Sequence, residues 1–206
     1  MSAVRTATVR RLARLVRSAT AQQRAQGLAW YADALAVCQA IAAIQGPGIG
    51  AVSVETVAGV FAALSPRTHV KTNIAWCAAM VHAARTGQAC PDNIHTKTMR
   101  AQAWRIANGE PWEQVLRGPK VRAFAANILG DMTPVTVDVW MIRVIMGDDA
   151  PATGRIGAKL YRECADIIAR VARAVGLPPA EVQAILWVVA KDAANYRAGS
   201  VIGRAA

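Results

Sequence analysis

Hydrophobic positions recur at three- and four-residue intervals over most of the chain, the period of an amphipathic helix. Only the short "VTVDV" of residues 135–139 alternates as a strand would, so the pattern predicts an all-α protein. In "MSAVRTATVRRLARLVRSAT", Arg10, Arg14 and Arg17 share one stripe while Leu12, Leu15 and Val16 lie opposite, which is a basic amphipathic helix. "GLAWYADALAVCQAIAAIQG" is an Ala-rich helix ending at Gly46, and "GPGIG" after it reads as a turn. Ser53 suits the N-cap of "VETVAGVFAAL", with Glu55 in its first turn and an apolar face of Val57, Val60, Phe61 and Leu64. Pro66 reads as opening the next helix, "RTHVKTNIAWCAAMVHAARTG", which Gly87 closes. The loop "CPDN", the helix "TKTMRAQAWRIANG", a short turn at "PWEQVL" and the helix of "GPKVRAFAANILG" follow, punctuated by Gly109, Gly118 and Pro119. The segment after "DMTP" ends at Gly147, and "DDAPATGRIG" is the most linker-like stretch. Two long helices are expected at roughly 155–175 and 179–192, the second with an apolar face of Val182, Ile185, Leu186 and Val189.

Composition adds a partner to this picture. With 206 residues, 54% hydrophobic and 18% charged, the chain is globular and long enough for one domain or two small lobes. Lys and Arg number 24 against 13 for Asp and Glu, a net charge of +11 that points first to nucleic acid and only then to acidic lipid. Asp33, Arg67, Lys71, Arg122, Asp138 and Arg143 interrupt the apolar segments, so no membrane span is expected. The Arg-rich, acid-free start superficially fits a transit peptide, but it lacks the continuous apolar core of a secretory signal. Cys38, Cys77, Cys90 and Cys164 form no C-x-x-C pair, which suggests neither zinc nor a disulfide framework and fits a reducing cytoplasm. Cys38 and Cys77 are expected as small core residues. His69, His82 and His95 show no ligand spacing, and no metal is assigned.

Candidate chemistry centres on Asp138, which lies between Val137 and Val139 in "PVTVDVWMIRVI". An ionised Asp buried without a partner costs several kcal/mol. Asp138 suits the N-cap of the helix through Trp140, Ile142 and Val144, and a carboxylate held by helix-end amides is also suited to stabilising a sugar cation. Gly118, Pro119 and Lys120 read as a tight hairpin opening a helix, where backbone N–H groups, Lys120 and Arg122 favour an anion such as a DNA phosphate. Trp140 follows Asp138 by two positions and is placed to stack on an extruded base, with Trp30 and Tyr31 as further aromatic candidates.

Taken in order, these segments resemble the helix-hairpin-helix DNA glycosylase superfamily of endonuclease III-like enzymes. There a hairpin L-P-G-V-G-x-K-T-A is followed, across one helix and a loop, by a V-D-T-H-type segment carrying an essential Asp at a helix start. "LRGPKVRAF" occupies the hairpin place and "TVDVWMIRV" the Asp place, with Lys120 and Asp138 eighteen positions apart as in the family. Leu64, Ser65, Pro66, Arg67 and Thr68 echo its L-S-x-Q-T-like segment. The chain is also similar to small phage and actinobacterial proteins with W-Y, A-L-S-P, G-P-K-V-x-A-F and D-V-W segments, here Trp30-Tyr31, 63–66, 118–124 and 138–140.

The resemblance covers roughly residues 53–192. It implies a two-lobed bundle of about nine to ten helices with a degenerate helix-hairpin-helix. Residues 1–26 are then a basic N-terminal helix and 27–206 a single glycosylase-like domain, with lobes at approximately 53–147 and 27–52 plus 148–206. It further implies double-stranded DNA as partner and a nucleotide extruded from it. Asp138 would stabilise the charge developing at the sugar C1′, and Lys120 would act as amine nucleophile through a Schiff base or as a phosphate contact. Arg67, Thr68, Lys71, Gly118 and Arg122 would contact DNA, while Trp140, Ser65, Trp30 and Tyr31 would form the base pocket. No cofactor is implied, and without the family's four-cysteine motif no iron–sulfur cluster is expected. The cytoplasm of a bacterial or phage-infected cell is the implied location.

Three departures bear on DNA contact: Leu116 stands at the hairpin's first glycine, Pro119 removes an N–H, and Arg67 replaces the Gln that in relatives fills the space left by a flipped base. Two other functions fit the same segments. One is a phage-type hypermodification enzyme, in which an amine displaces pyrophosphate from a hydroxymethyl pyrimidine in DNA and the glycosidic bond survives. The other is a non-catalytic DNA-binding module in which Asp138 is only an N-cap.

Overall fold

The computed structural model describes residues 3–44, 50–150 and 156–202. The helix end expected at Gly46, nearly all of "GPGIG" and the middle of "DDAPATGRIG" lie outside the described residues. Among the described residues there are ten α-helices and no strand: α1 (Ala3–Arg17), α2 (Ala21–Ala42), α3 (Val54–Leu64), α4 (Val70–Arg85), α5 (Lys97–Ala107), α6 (Trp112–Val115), α7 (Pro119–Ile128), α8 (Val139–Met146), α9 (Ala158–Val175) and α10 (Pro179–Ile202). The fold is all-α. None of the described helices is long and apolar enough to cross a membrane. The chain divides into two compact units, one of Met1–Trp30 with Met132–Ala206 and one of Tyr31–Asp131. The lobe limits expected at 53 and 147 differ from these, which fall inside the uninterrupted α2 and in the loop after α7.

In the first unit α1 packs on α9 and α10, and α8 on α10 and α9. Leu12 and Val16 of α1 join Val137, Met141, Ile168, Ile185 and Leu186 in its core, while Arg10, Arg14 and Arg17 stay exposed. Burying one face of α1 leaves its cations to serve neighbouring helix ends, whose last carbonyls lack intrahelical partners. Arg11 Nη2 donates to Val144 O and Ile145 O of α8 at 2.8 and 2.9 Å, and Arg17 Nη2 to Ala174 O of α9 at 2.7 Å. Where α2 crosses α10, a Cβ on Gly27 would sit 2.6 Å from Ile185 Cα, so only glycine permits that backbone approach.

The second unit is organised around α3, which packs against α4, α5, α6 and α7. Every residue from Val57 to Leu64 is buried, the physical reason that α3 is apolar all round. Ser53 caps α3 as its sequence suggests, Oγ accepting from Thr56 N at 3.1 Å. The buried Asn73 donates through Nδ2 to Phe61 O at 3.0 Å. Cys38 and Cys77 are core residues; burial pushes the Cys38 thiol up to about 12 and Cys77 well above its usual range.

Pro66 does not open α4, a correction to the sequence expectation. Thr68 N donates to Ser65 O at 3.3 Å across a turn whose third residue, Arg67, has φ 59°, and α4 begins at Val70 with His69 at its N-cap. A proline's fixed φ suits the second position of a type II turn as well as a helix start, and here the turn prevails.

Candidate functional site around Asp138

The approach to Asp138 is pinned before the helix begins. Val135, Thr136 and Val137 are buried, and the Tyr161 hydroxyl of α9 donates to Val135 O at 2.6 Å and accepts from Val137 N at 3.4 Å. Burial pushes that phenol up to about 12, which keeps it a neutral donor. Asp138 then takes extended backbone angles and caps α8, Oδ1 accepting from Met141 N at 2.9 Å. Its other oxygen accepts from Trp187 Nε1 of α10 at 3.2 Å. A carboxylate is acceptor-only, so two N–H donors fix its orientation while leaving lone pairs for a further partner.

Through Trp187 this half-buried carboxylate connects to two further indoles and two cations. The Trp30 and Trp187 rings lie 4.6 Å apart at 45°, a tilted stack. Lys191, one turn beyond Trp187, places Nζ 4.5 Å from the Trp140 ring centroid and 5.3 Å from that of Trp187, and Arg143 Cζ lies 5.2 Å from the Trp140 centroid. Ring faces offer stacking to a flat base, and the carboxylate offers charge to a cation in an environment partly walled from water.

Of the residues singled out from sequence, Asp138, Trp140 and Trp30 come together in the first unit. Trp187 and Lys191 complete the group and were missed. Their only local signal is a Trp followed four residues later by a Lys on one helix face in "WVVAK". Tyr31, although next to Trp30 in the chain, belongs to the second unit, where it is buried with its ring 6.2 Å from Phe124.

Ser65, Arg67, Thr68 and Lys71 gather around the turn between α3 and α4. Ser65 Oγ donates to Ala62 O at 2.9 Å and Thr68 Oγ1 to Pro66 O at 3.2 Å; the Arg67 and Lys71 side chains are exposed. His95 clamps this turn: its Nδ1 accepts from Thr96 N at 2.6 Å, which leaves the proton on Nε2 to donate to Pro66 O at 2.7 Å, and its ring lies 5.5 Å from Trp76. His95 also has a positive φ, 54°. Gly118 is the N-cap of α7, with Pro119 first and the half-buried Lys120 second in the helix and Arg122 exposed beyond. Leu116, standing where the hairpin glycine was expected, is 1% exposed and so serves the core. Among the described residues no three His, Cys, Asp or Glu side chains gather as a metal site would require.

The model of DUF7178, a family of unknown function, matches residues 1–194. No curated protein and no solved structure matches the chain.

Proposed function

The chain belongs to the DUF7178 family, and we propose that it acts on a base extruded from duplex DNA, with Asp138 at the reacting sugar. The observation that carries this reading is the Asp138 carboxylate oriented by Met141 N and by Trp187 Nε1, the Trp187 ring in turn lying against Trp30 and sharing the Lys191 ammonium with Trp140. In the glycosylase form, an indole face stacks the base, the C1′–N bond breaks and the base leaves with the bonding pair and takes up a proton. Asp138 stabilises the positive charge left on the sugar while a nucleophile adds at C1′. Water gives an abasic site; an amine nucleophile gives a Schiff base and strand cleavage. The order of the L-S-P, Gly-Pro-Lys and Val-Asp segments supports the same reading.

A second reading, amine transfer to a pyrophosphorylated hydroxymethyl pyrimidine, is favoured by one observation: Trp140 and Trp187 already hold an ammonium, that of Lys191. Duplex DNA carrying damaged or phage-type modified bases, incubated with the protein or with Asp138→Asn and examined by nucleoside mass spectrometry, separates the readings. Released base that falls by about 10² or more in the variant is expected for a glycosylase. A retained base of altered mass indicates transfer. Duplex binding with every base intact in both proteins leaves a binding module.

A further inference from the structure

We infer that the exposed face of α1 is a second nucleic-acid contact, a groove that takes the phosphodiester backbone. Val9, Arg10, Ala13, Arg14, Arg17 and Ala174 line it around a volume of about 330 Å³. Arg10 and Arg14 are exposed, and neither guanidinium has a hydrogen-bond or ion-pair partner among the described residues. Arg17 is held at the end of the groove by its bond to Ala174 O. No acidic residue precedes Asp33 in the chain, so nothing on α1 offsets these charges.

The geometry suits a phosphate ladder. From Arg10 to Arg17 the stripe spans about 10 Å of helix, the axial length over which one strand of a duplex presents about three phosphates. Arginine's planar fork matches phosphate oxygens, and two of the three guanidinia are uncommitted. An acidic lipid surface is the rival polyanion, but a helix that lies on a membrane inserts an apolar face. The apolar face of α1 is already spent: Leu12, Ala13 and Val16 are at most 3% exposed.

This inference shares its partner, but not its chemistry, with the proposed reaction at Asp138. The test is binding of a short DNA duplex across a salt series by the whole protein and by Arg10→Gln/Arg14→Gln, with phosphatidylserine vesicles as the second probe. Losing two phosphate contacts should flatten the log–log salt slope by about 1.8 and weaken low-salt binding roughly tenfold. Arg10→Lys/Arg14→Lys, which keeps the charge, should retain the wild-type slope. Equal slopes for wild type and the Gln variant overturn the groove, as does a wild type that binds vesicles and not duplex. A Gln variant with unchanged slope that still releases base defeats the groove and leaves Asp138 standing. A Gln variant with the expected slope change, beside a wild type that leaves every base intact, does the reverse.

Discussion

Tyr161 does for the stretch before Asp138 what no residue of that stretch does for itself. Its hydroxyl serves one carbonyl and one N–H of an extended segment that no strand partner satisfies. Tyr161→Phe strands the Val135 carbonyl in the core and is expected to cost about 1–2 kcal/mol, read by chemical denaturation. The same residue sets an alkaline limit. Its phenol titrates at about 12 in the folded chain against an ordinary 10.0, so the folded state holds the proton more tightly. The stabilisation is complete below pH 10 and is lost as pH rises toward 12; Tyr161→Phe should remove that part of the alkaline loss. Asp138 itself was legible in the sequence because a carboxylate between two valines at a helix start has few places to go. Trp187 was not, because the bond that makes it part of the site joins positions 49 apart, and no local period encodes it.

Among the elements, those with chemical punctuation were legible. Ser53, Gly109, Gly118 with Pro119, and Gly147 each stand where a helix starts or stops. Pro66 was misleading because the same φ serves a turn and a first helical turn, and hydrogen bonding to Ser65 O decided between them. That turn holds Arg67 in the left-handed region, where a side chain costs about 1–2 kcal/mol. Glycine would relieve the cost while adding about 0.4–1 kcal/mol of unfolded-chain freedom. Arg67→Gly should therefore stabilise the protein by about 1 kcal/mol or less in a denaturant series. The same variant should bind duplex DNA more weakly if Arg67 takes the place of the space-filling Gln of the glycosylases that the segments resemble. Gained stability with lost binding would mark a strained position kept for function. Arg17 adds a lesson of the opposite kind, since a cation in a basic stripe reads as surface charge until the carbonyl it caps is seen.

At the scale of the molecule, the division into two units was the least legible feature. Its first limit, between Trp30 and Tyr31, lies within an uninterrupted helix, three residues past Gly27 and with neither proline nor cap, so no local signal marks it. Two adjacent aromatics consequently belong to different cores, and a sequence pairing of Trp30 with Tyr31 as one pocket had nothing to separate them. The tilted Trp30–Trp187 stack makes the first unit optically distinguishable from the rest. Two indoles 4.6 Å apart at 45° are a coupled chromophore, and their exciton couplet in circular dichroism vanishes once α2 and α10 part. The helical signal, by contrast, sums over both units. Followed at both signals, one thermal melt would show coincident midpoints for a chain that unfolds in a single step. An earlier loss of the couplet would show that the unit carrying Asp138 opens on its own, giving a folding readout for that site that needs neither label nor ligand.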